Sequence, residues 1–520
     1  MLNFVDALVI LASLAAVIGI ALRAARKKAG GAEYFLAGRD LAWPMVGMSL
    51  FASNISAEHV IGMTGDGYRI GLVAGGYEWI GAWDLIILAT LFAPLYLRSK
   101  IFTIPEFLER RFGWSLRALL SANLLLINVF TKNAIDLWAG SLLFAVLLGW
   151  NQTWVMLGMS AFTALYTMKG GLRAVVYADM IQGSWLILSC AFLTILGLIK
   201  VGGWHALVAR APMGHLSMVK PLTSELPITG FLVANVFAGM FYWCMDQTNV
   251  QRVLGARTIA EGQRGAMFAG FLKLLVPFIL VLPGVIARVL YPSLKTFDSA
   301  FPTLVAGLLP VGLRGLALAG LLAILMSSMS ACYNSSATLV VRDFVLQYRP
   351  SLTEQRQVAI GRWVTLVMAV LGVLAAPLVG LSVTIWYYLQ NISAYLSVPM
   401  GAAIFVGLLW KRGTTKGAVA AVLAGFGMGL VFFLDQALNW SLPGLSNPYM
   451  HSYLHRSLLV WTVSALVMVG VSLATSAPDV VKVQDYVFSR IRQPWTGLSD
   501  YRTWASALFA STIALWWLFR

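Results

Sequence analysis

Charged residues are scarce in this chain. Asp, Glu, Lys and Arg make up only 11% of its 520 residues, whereas an ordinary soluble domain carries about 25%. Cysteine is scarce too: Cys190, Cys244 and Cys332 lie in apolar stretches, with no CxxC or other metal-ligand spacing. This pattern gives neither a disulfide framework nor a thiolate metal centre. The chain also has no Walker A motif and no room for a nucleotide-binding domain, which disfavours an ATP-driven pump and a receptor kinase.

Long apolar stretches, in contrast, are abundant in this chain. Hydrophobic residues make up 59% of the chain and the mean hydropathy is +0.79. Because about 20 apolar residues in a helix cross a bilayer, the sequence predicts an all-α membrane protein with fourteen transmembrane helices. We call these the leading span and spans 1 to 13. They are predicted at 4–24, 43–64, 73–98, 116–149, 153–168, 175–200, 228–250, 265–290, 312–341, 357–380, 383–409, 415–435, 454–474 and 503–519.

The distribution of basic residues predicts the orientation. The leading span has no basic segment before it and is followed by RAARKK, which is typical of an uncleaved anchor with its N-terminus outside. With both termini external, the loops place about three Lys or Arg residues on the cytoplasmic side for each one outside. The net charge of +16 therefore fits an inner (plasma) membrane protein and not a nucleic-acid partner. The stretch 476–502 is predicted to be a cytoplasmic interfacial helix.

Polar residues interrupt span 1 in the sequence SLFASNISAEHVIGM, which includes Asn54 and His59. A continuous helix facing lipid would not tolerate this run, but a broken helix lining a cavity would, because its free backbone groups can bind an ion or a substrate. The alternative is that Ser and Asn side chains only join neighbouring helices.

Two opposite charges lie inside spans 2 and 7. Glu78 occurs in GGYEW and Lys273 in GFLKLLVPF. Either charge alone in hydrocarbon would cost several kcal/mol, so we expect the two side chains to face one polar cavity and offset each other. The alternative is a structural ion pair without a ligand.

Hydroxyl groups cluster in span 8, where Ser327, Ser328 and Ser330 occur in ILMSSMSACYNSS. Uncharged oxygens suit weak and reversible binding of sodium, although serines also pack helices together. Asp179 in span 5 is a candidate ion relay.

Other polar and aromatic groups occupy spans 3, 6 and 10. Tyr242 and Trp243 give flat faces near the candidate cavity, and Gln390 offers a donor and an acceptor in mid-membrane. Lys132 and Asp136 are four residues apart, so we expect them to pair on one face of a helix.

Eight segments of the sequence together resemble the sodium/solute symporter family, and within it the sodium/sugar cotransporters. These segments are FASNISAEHVIGM, GGYEW, FTIPEFLERRF, LYTMKGGLRAVVYADMIQ, YWCMDQTNVQR, FLKLLVPF, LMSSMSACYNSSATL and YYLQNISAYLSVPMGA. The resemblance implies a LeuT-like fold of five plus five helices in an inverted repeat. It implies a leading helix and loop at 1–42, a transport core at 43–410, and three peripheral helices at 411–520.

The resemblance also implies roles for individual residues. Backbone carbonyls of Ala52, Ile55 and Ile324, with the hydroxyls of Ser327 and Ser328, would hold sodium, and Asp179 and Ser330 match a possible second sodium site. The implied sugar-binding residues are Asn54, His59, Glu78, Tyr242, Trp243, Lys273 and Gln390. The implied outer gate is Met63, Tyr77 and Trp386, and Tyr242 would block the inner exit.

The implied activity is import of a neutral sugar of the glucose or galactose type, driven by the sodium gradient through alternating access. The implied protein is not an enzyme, has no organic cofactor, binds no nucleic acid, and is a monomer or weak homodimer in the bilayer. Ile80 and Gly81 follow GYEW, where the family often has a polar side chain, and Ala331 follows Ser330; these departures leave the sugar and the sodium stoichiometry open. The alternatives are an acidic sugar such as sialic acid, favoured by Lys132, coupling to protons, and a sensor that does not transport.

Overall fold

Helices make up most of the structure. It is a computed structural model and describes residues 3–24, 39–56, 58–101, 103–167, 172–438, 447–450, 452–479, 483–488 and 495–520. Within these ranges there is no β-strand, and a single isolated bridge joins Leu41 to Ala256. The described residues therefore have the all-α fold that the sequence predicts.

The first helices lead from the N-terminus to the connecting segment at 211–229. Their bounds are Phe4–Ala24 (α1), Trp43–Asn54 (α2), Glu58–Met63 continuing as Thr64–Ile70 (α3), Leu72–Ser99 (α4), Ile104–Phe112 (α5), Trp114–Leu148 (α6), Gln152–Thr167 (α7), Leu172–Val201 (α8) and Trp204–Arg210 (α9).

The remaining helices follow along the rest of the chain. Their bounds are Gly230–Cys244 (α10), Gln247–Leu254 (α11), Ile259–Leu290 (α12), Ala300–Leu308 (α13), Leu313–Tyr348 (α14), Glu354–Val379 (α15), Ile385–Leu409 (α16), Thr415–Leu438 (α17), Tyr453–Ala474 (α18) and Tyr501–Leu518 (α19).

Many of these helices are long and apolar enough to cross a membrane. In the described part of the chain eight pass this test, namely α4, α6, α12, α14, α15, α16, α17 and α18. The last part of α8 and α9 form a bent pair, at 71°, that would make a ninth span. The fold is therefore that of a multi-pass membrane protein.

Glycines let α12 pack closely against the two helices that precede α4. A Cβ atom added to Gly47 of α2 would lie 2.6 Å from the carbonyl oxygen of Gly265, and one added to Gly284 would lie 2.1 Å from the carbonyl oxygen of Thr64 in α3. Because backbones meet at both points, α12 follows α2 and α3 across the gap between them. Lys273 lies between Gly265 and Gly284 in the sequence of α12, so it lies opposite that gap.

The described residues of the stretch 476–502 do not form the single helix that we predicted. Its described residues form irregular chain and the 3₁₀ turns Gln484–Tyr486 and Gly497–Ser499. Pro478 lies at its start and cannot donate a helical hydrogen bond. Its hydrophobic and basic composition indicated an interfacial segment, but composition alone did not determine the backbone conformation of that segment.

Candidate transport site

The broken helix predicted in span 1 is present. Helix α2 ends at Asn54, and α3 begins at Glu58. The last bond of α2 joins the Ile55 N–H to the Phe51 carbonyl at 3.2 Å, and the Val60 N–H then bonds to the Ser56 carbonyl at 3.2 Å. Ile55 itself has the extended angles φ −81° and ψ 110°. The backbone carbonyls from Ala52 to Ile55 thus lie at a helix end, where they can bind an ion or a polar solute.

A buried network of side chains lies beside this break. The Lys273 ammonium group donates to the Glu78 carboxylate and to the Asn54 side-chain oxygen. The other Glu78 oxygen is 3.4 Å from Nε2 of His59. Asn54 also donates to the Tyr242 hydroxyl at 2.9 Å. Five different helical segments therefore converge on one polar cluster.

The pair of Glu78 and Lys273 forms as predicted. Lys273 is fully buried and Glu78 is 4% exposed, so neither charge could be left alone without a large desolvation cost. The Lys273 nitrogen also lies 5.0 Å from the ring centre of Trp243, a distance at which the electron-rich ring face stabilises a cation.

This network borders a cavity at the centre of the helices. Most of the residues that the sequence implicated line it, and they come from α2, α3, α4, α10, α14 and α16. The implicated lining residues are Ala52, Asn54, His59, Tyr77, Glu78, Tyr242, Trp243, Ile324, Ser327, Ser328, Trp386 and Gln390.

Four implicated residues do not line the cavity. Ile55, Met63 and Ser330 are buried behind its wall, and Lys273 reaches it through Glu78. Asp179 lies on α8, but its side chain is outside the described residues.

One end of the cavity is closed by aromatic rings. The Trp386 ring centre lies 4.9 Å from that of His59 and 5.5 Å from that of Tyr77. The Tyr77 hydroxyl is hydrogen-bonded to the hydroxyl of Tyr453 in α18. Tyr77, Trp386 and Tyr453 are all buried, whereas Tyr242, Ser327 and Ser328 are half-buried. The cavity is therefore shut on the side of the predicted outer gate.

Lys132 does not form the pair with Asp136 that we predicted. Its ammonium group lies 2.8 Å from the Asp246 carboxylate and 3.0 Å from the Thr248 hydroxyl. A π-helical turn at Asn128–Asn133 contains Lys132, and such a turn rotates the following residues away from their α-helical positions. The spacing rule for an uninterrupted helix therefore did not apply, and Lys132 instead joins α6 to the start of α11.

Comparison with known proteins agrees with this geometry. The model of the family described as "Sodium:solute symporter family" matches residues 34–425. The chain belongs to the sodium:solute symporter family.

Several relatives match most of the length of this symporter. It is 34% identical to the sodium/glucose cotransporter of Vibrio parahaemolyticus, over 94% of each chain. It is 34% identical to the sodium/mannose cotransporter of Bos taurus, over 91% of this chain and 86% of the relative. It is also 34% identical to sodium/myo-inositol cotransporter 2 of Sus scrofa, over 86% of this chain and 73% of the relative.

Solved structures share its fold. A sodium-coupled sialic acid symporter in an outward-open state has a TM-score of 0.78 at 19% identity, covering 91% of this chain and 99% of its own. A transporter of the nucleobase-cation-symport-1 family has a TM-score of 0.59 at 14% identity, covering 87% of this chain and 97% of its own. The protein is therefore a membrane symporter that couples a small solute to sodium, and it is not an enzyme.

Some cavity residues of the symporter were not among those that the sequence implicated. Asp84, Asp246, Tyr453 and Leu454 all line the cavity. Asp84 could have been found, because an ionisable residue inside a predicted span indicates a functional position. Tyr453 gave no signal, because a tyrosine at the end of a span is normally an interfacial residue.

Proposed function

We propose that this symporter imports a neutral sugar of the glucose or galactose type together with sodium. The observation that carries the proposal is the cluster of Asn54, His59, Glu78 and Lys273, which offers both donors and acceptors beside the cavity. A sugar has several hydroxyl groups, each of which needs such a partner when it leaves water. The sodium/glucose, sodium/mannose and sodium/myo-inositol cotransporters among the relatives support a polyhydroxylated cargo.

The proposed architecture has fourteen membrane spans, with spans 1 to 10 arranged as five plus five helices in a LeuT-like inverted repeat. Helices that coincide with the predicted spans support it, as does the fold shared with two other symporters. The core then covers 43–410, with peripheral segments at 1–42 and 411–520, and both termini face outward. The symporter works as a monomer or weak homodimer in the plasma membrane.

Sodium binds between the broken helix and α14 in this proposal. The oxygens are the carbonyls of Ala52, Ile55 and Ile324 and the hydroxyls of Ser327 and Ser328. All of these residues except Ile55 line the cavity, and Ile55 lies at the break itself. Asp179 and Ser330 are the candidates for a second site. Because Ala331 provides no hydroxyl beside Ser330, we propose a single sodium ion per cycle.

The transport cycle is alternating access. Sodium binds first and favours the outward-open arrangement, which admits a sugar to Asn54, Glu78 and Gln390, with its C–H face on Tyr242. Met63, Tyr77 and Trp386 then close over it, and both solutes leave on the inner side past Tyr242. One charge crossing 100 mV releases about 2.3 kcal/mol, and a tenfold gradient requires about 1.4 kcal/mol. One sodium ion can therefore sustain roughly fortyfold accumulation from voltage alone.

An acidic sugar is the alternative cargo, and the position of Lys132 weighs against it. Lys132 was the cation that could have bound an acidic group, but its charge is already balanced by Asp246 at 2.8 Å. Binding a carboxylate there would require breaking a largely buried ion pair.

Uptake by the purified protein in liposomes tests the proposal. Labelled glucose, galactose or myo-inositol is added outside, with an inward gradient of sodium or of choline. We expect sodium-dependent, electrogenic uptake of glucose or galactose, reduced by unlabelled neutral sugars and not by sialic acid. Inhibition by acidic sugars alone would make the cargo an acidic sugar. Uptake driven by a proton gradient without sodium would overturn the sodium assignment, and binding without uptake would indicate a sensor.

A further inference from the structure

A buried carboxyl group on α4 has no role in the sodium and sugar sites. Asp84 is fully buried and lines the central cavity. Within the described part of the chain, neither of its carboxyl oxygens has a hydrogen-bond partner. One oxygen is pressed against α10, since a Cβ added to Gly239 would lie 2.1 Å from it.

Three other buried carboxylates in this protein have cations or donors beside them. Glu78 contacts Lys273 and His59, and Asp246 contacts Lys132. Asp343 bonds to Arg117 at 2.6 Å and to the Ser121 hydroxyl at 2.6 Å. Asp84 differs from all three, because no described side chain offers it a positive charge.

The groups that face Asp84 do not compensate a negative charge. The Cys244 thiol of α10 donates to the Asp84 backbone carbonyl at 3.6 Å and not to its carboxyl group. Trp243 packs over Gly81, one turn earlier on α4. On α4 itself the nearest titratable residue is Glu78, which is acidic, and the Lys273 beyond it is already bonded to Glu78 and Asn54. An isolated carboxylate in this place would cost several kcal/mol, and binding a proton removes that cost.

We propose that Asp84 is a proton-binding site on the transport path, separate from the sodium and sugar sites. It lies six residues from Glu78, which is about 9 Å along a helix. The close packing of α4 on α10 requires the neutral acid. When water reaches the cavity the proton leaves to the inner solution, and the resulting carboxylate opposes repacking against Gly239. Transport therefore depends on the pH of the solution on the inner side.

The first test uses the transport assay and rests on the proposed function. Sodium-driven uptake by the wild type should fall as the internal pH rises. In the pH range where most Asp84 side chains have lost their proton, the rate should fall by up to about tenfold per pH unit. Asp84→Asn, which imitates the neutral acid, should be active without this pH dependence, and Asp84→Glu should restore it. Asp485→Asn, at an exposed position, is the matched control and should keep the wild-type profile. An Asp84→Asn variant with the wild-type pH profile would overturn the proposal.

A second test needs neither a variant nor a substrate. Dicyclohexylcarbodiimide adds to carboxylic acids in apolar surroundings, and peptide mass spectrometry locates the adduct. In the wild-type protein we expect modification of Asp84 that decreases as pH rises, and no modification of the ion-paired Asp246. Absent or pH-independent modification of Asp84 would overturn the proposal. Because this result does not depend on any cargo, a wrong choice of sugar cannot be mistaken for it.

Discussion

At the scale of single residues, charge compensation decides which polar groups this membrane protein can bury. Lys273, Glu78 and Asn54 form one contact cluster, so each is costly to remove alone. Ser328 and Gln390, in contrast, are half-buried at the cavity wall. Substitutions in the cluster should therefore affect stability, whereas substitutions at the wall should affect binding of the transported solutes.

Replacing Lys273 with Ala should destabilise the protein by about 3–5 kcal/mol, because the Glu78 carboxylate then stays buried without its main partner. The measurement is thermal unfolding in detergent. The double variant Lys273→Ala/Glu78→Gln should recover part of the loss, and Lys295→Ala, at an exposed position, should change little. A single variant as stable as the wild type would show that the pair does not hold the core together.

Replacing Ser328 with Ala should raise the sodium concentration required for half-maximal uptake, since one hydroxyl oxygen leaves the proposed sodium site. The fold should stay intact, because Ser328 is half-buried and small. Sodium titration of uptake measures the effect, and Ser335→Ala on the same helix is the control. Unchanged sodium dependence would remove Ser328 from the site.

Replacing Gln390 with Ala should weaken sugar binding by about 1–3 kcal/mol, the cost of leaving a polar partner unsatisfied. Equilibrium binding of labelled sugar to detergent-solubilised protein gives this value directly. Gln484→Ala, at an exposed position, is the matched control. Wild-type affinity in the Gln390 variant would argue against a direct contact with the sugar.

At the scale of helices, α18 takes part in closing the cavity. Helix α18 places Tyr453 against Tyr77 of the predicted outer gate. Nearby, the Thr229 hydroxyl is 3.0 Å from His455 Nε2, and a Cβ at Gly230 would lie 2.8 Å from Leu454. The start of α18 is therefore packed onto α10 and the gate, although the resemblance to sugar cotransporters implied a peripheral role for it.

Replacing Tyr453 with Phe should make the outer gate open more readily, because the Tyr77 hydroxyl loses its buried partner. A loss of about 1 kcal/mol corresponds to a roughly fivefold increase in the equilibrium constant for gate opening. A reporter cysteine at Met63 should then react about fivefold faster with a membrane-impermeant maleimide. Tyr449→Phe, at an exposed position before α18, is the control. An unchanged labelling rate would mean that the hydroxyl pair does not hold the gate shut.

At the scale of the whole molecule, the alternation of basic loops and apolar helices predicts the orientation in the membrane. Cys190, Cys244 and Cys332 are all buried, which makes a cysteine introduced at the surface easy to detect. The exposed residue Lys295 lies in the loop between α12 and α13, before α14 begins, and the exposed residue Gln347 lies at the end of α14. These two positions should therefore lie on opposite sides of the bilayer.

In intact cells, Lys295→Cys should react with an impermeant maleimide, and Gln347→Cys should react only after permeabilisation. The expectation follows from the excess of Lys and Arg on the cytoplasmic side. Labelling from the wrong side would reverse the orientation. Labelling of both positions in intact cells would show that α14 does not cross the membrane.

The sequence by itself determined the membrane class, the helical fold, the family and the break in span 1. These features depend on composition, on the length of apolar runs, and on polar groups that hydrocarbon does not tolerate. The pairing of Glu78 with Lys273 was also predictable, because two opposite charges buried in one bilayer have few other ways to be stabilised.

Only the tertiary structure decided how distant segments meet. It paired Lys132 with Asp246 and not with Asp136, because a π-helical turn changes which residues share a face. It brought Tyr453 of α18 to Tyr77 across 376 residues of sequence, and it left Asp84 against Gly239 without a partner among the described residues. Such contacts depend on how whole helices rotate and cross, which is set by packing between them and not by the pattern along any one helix.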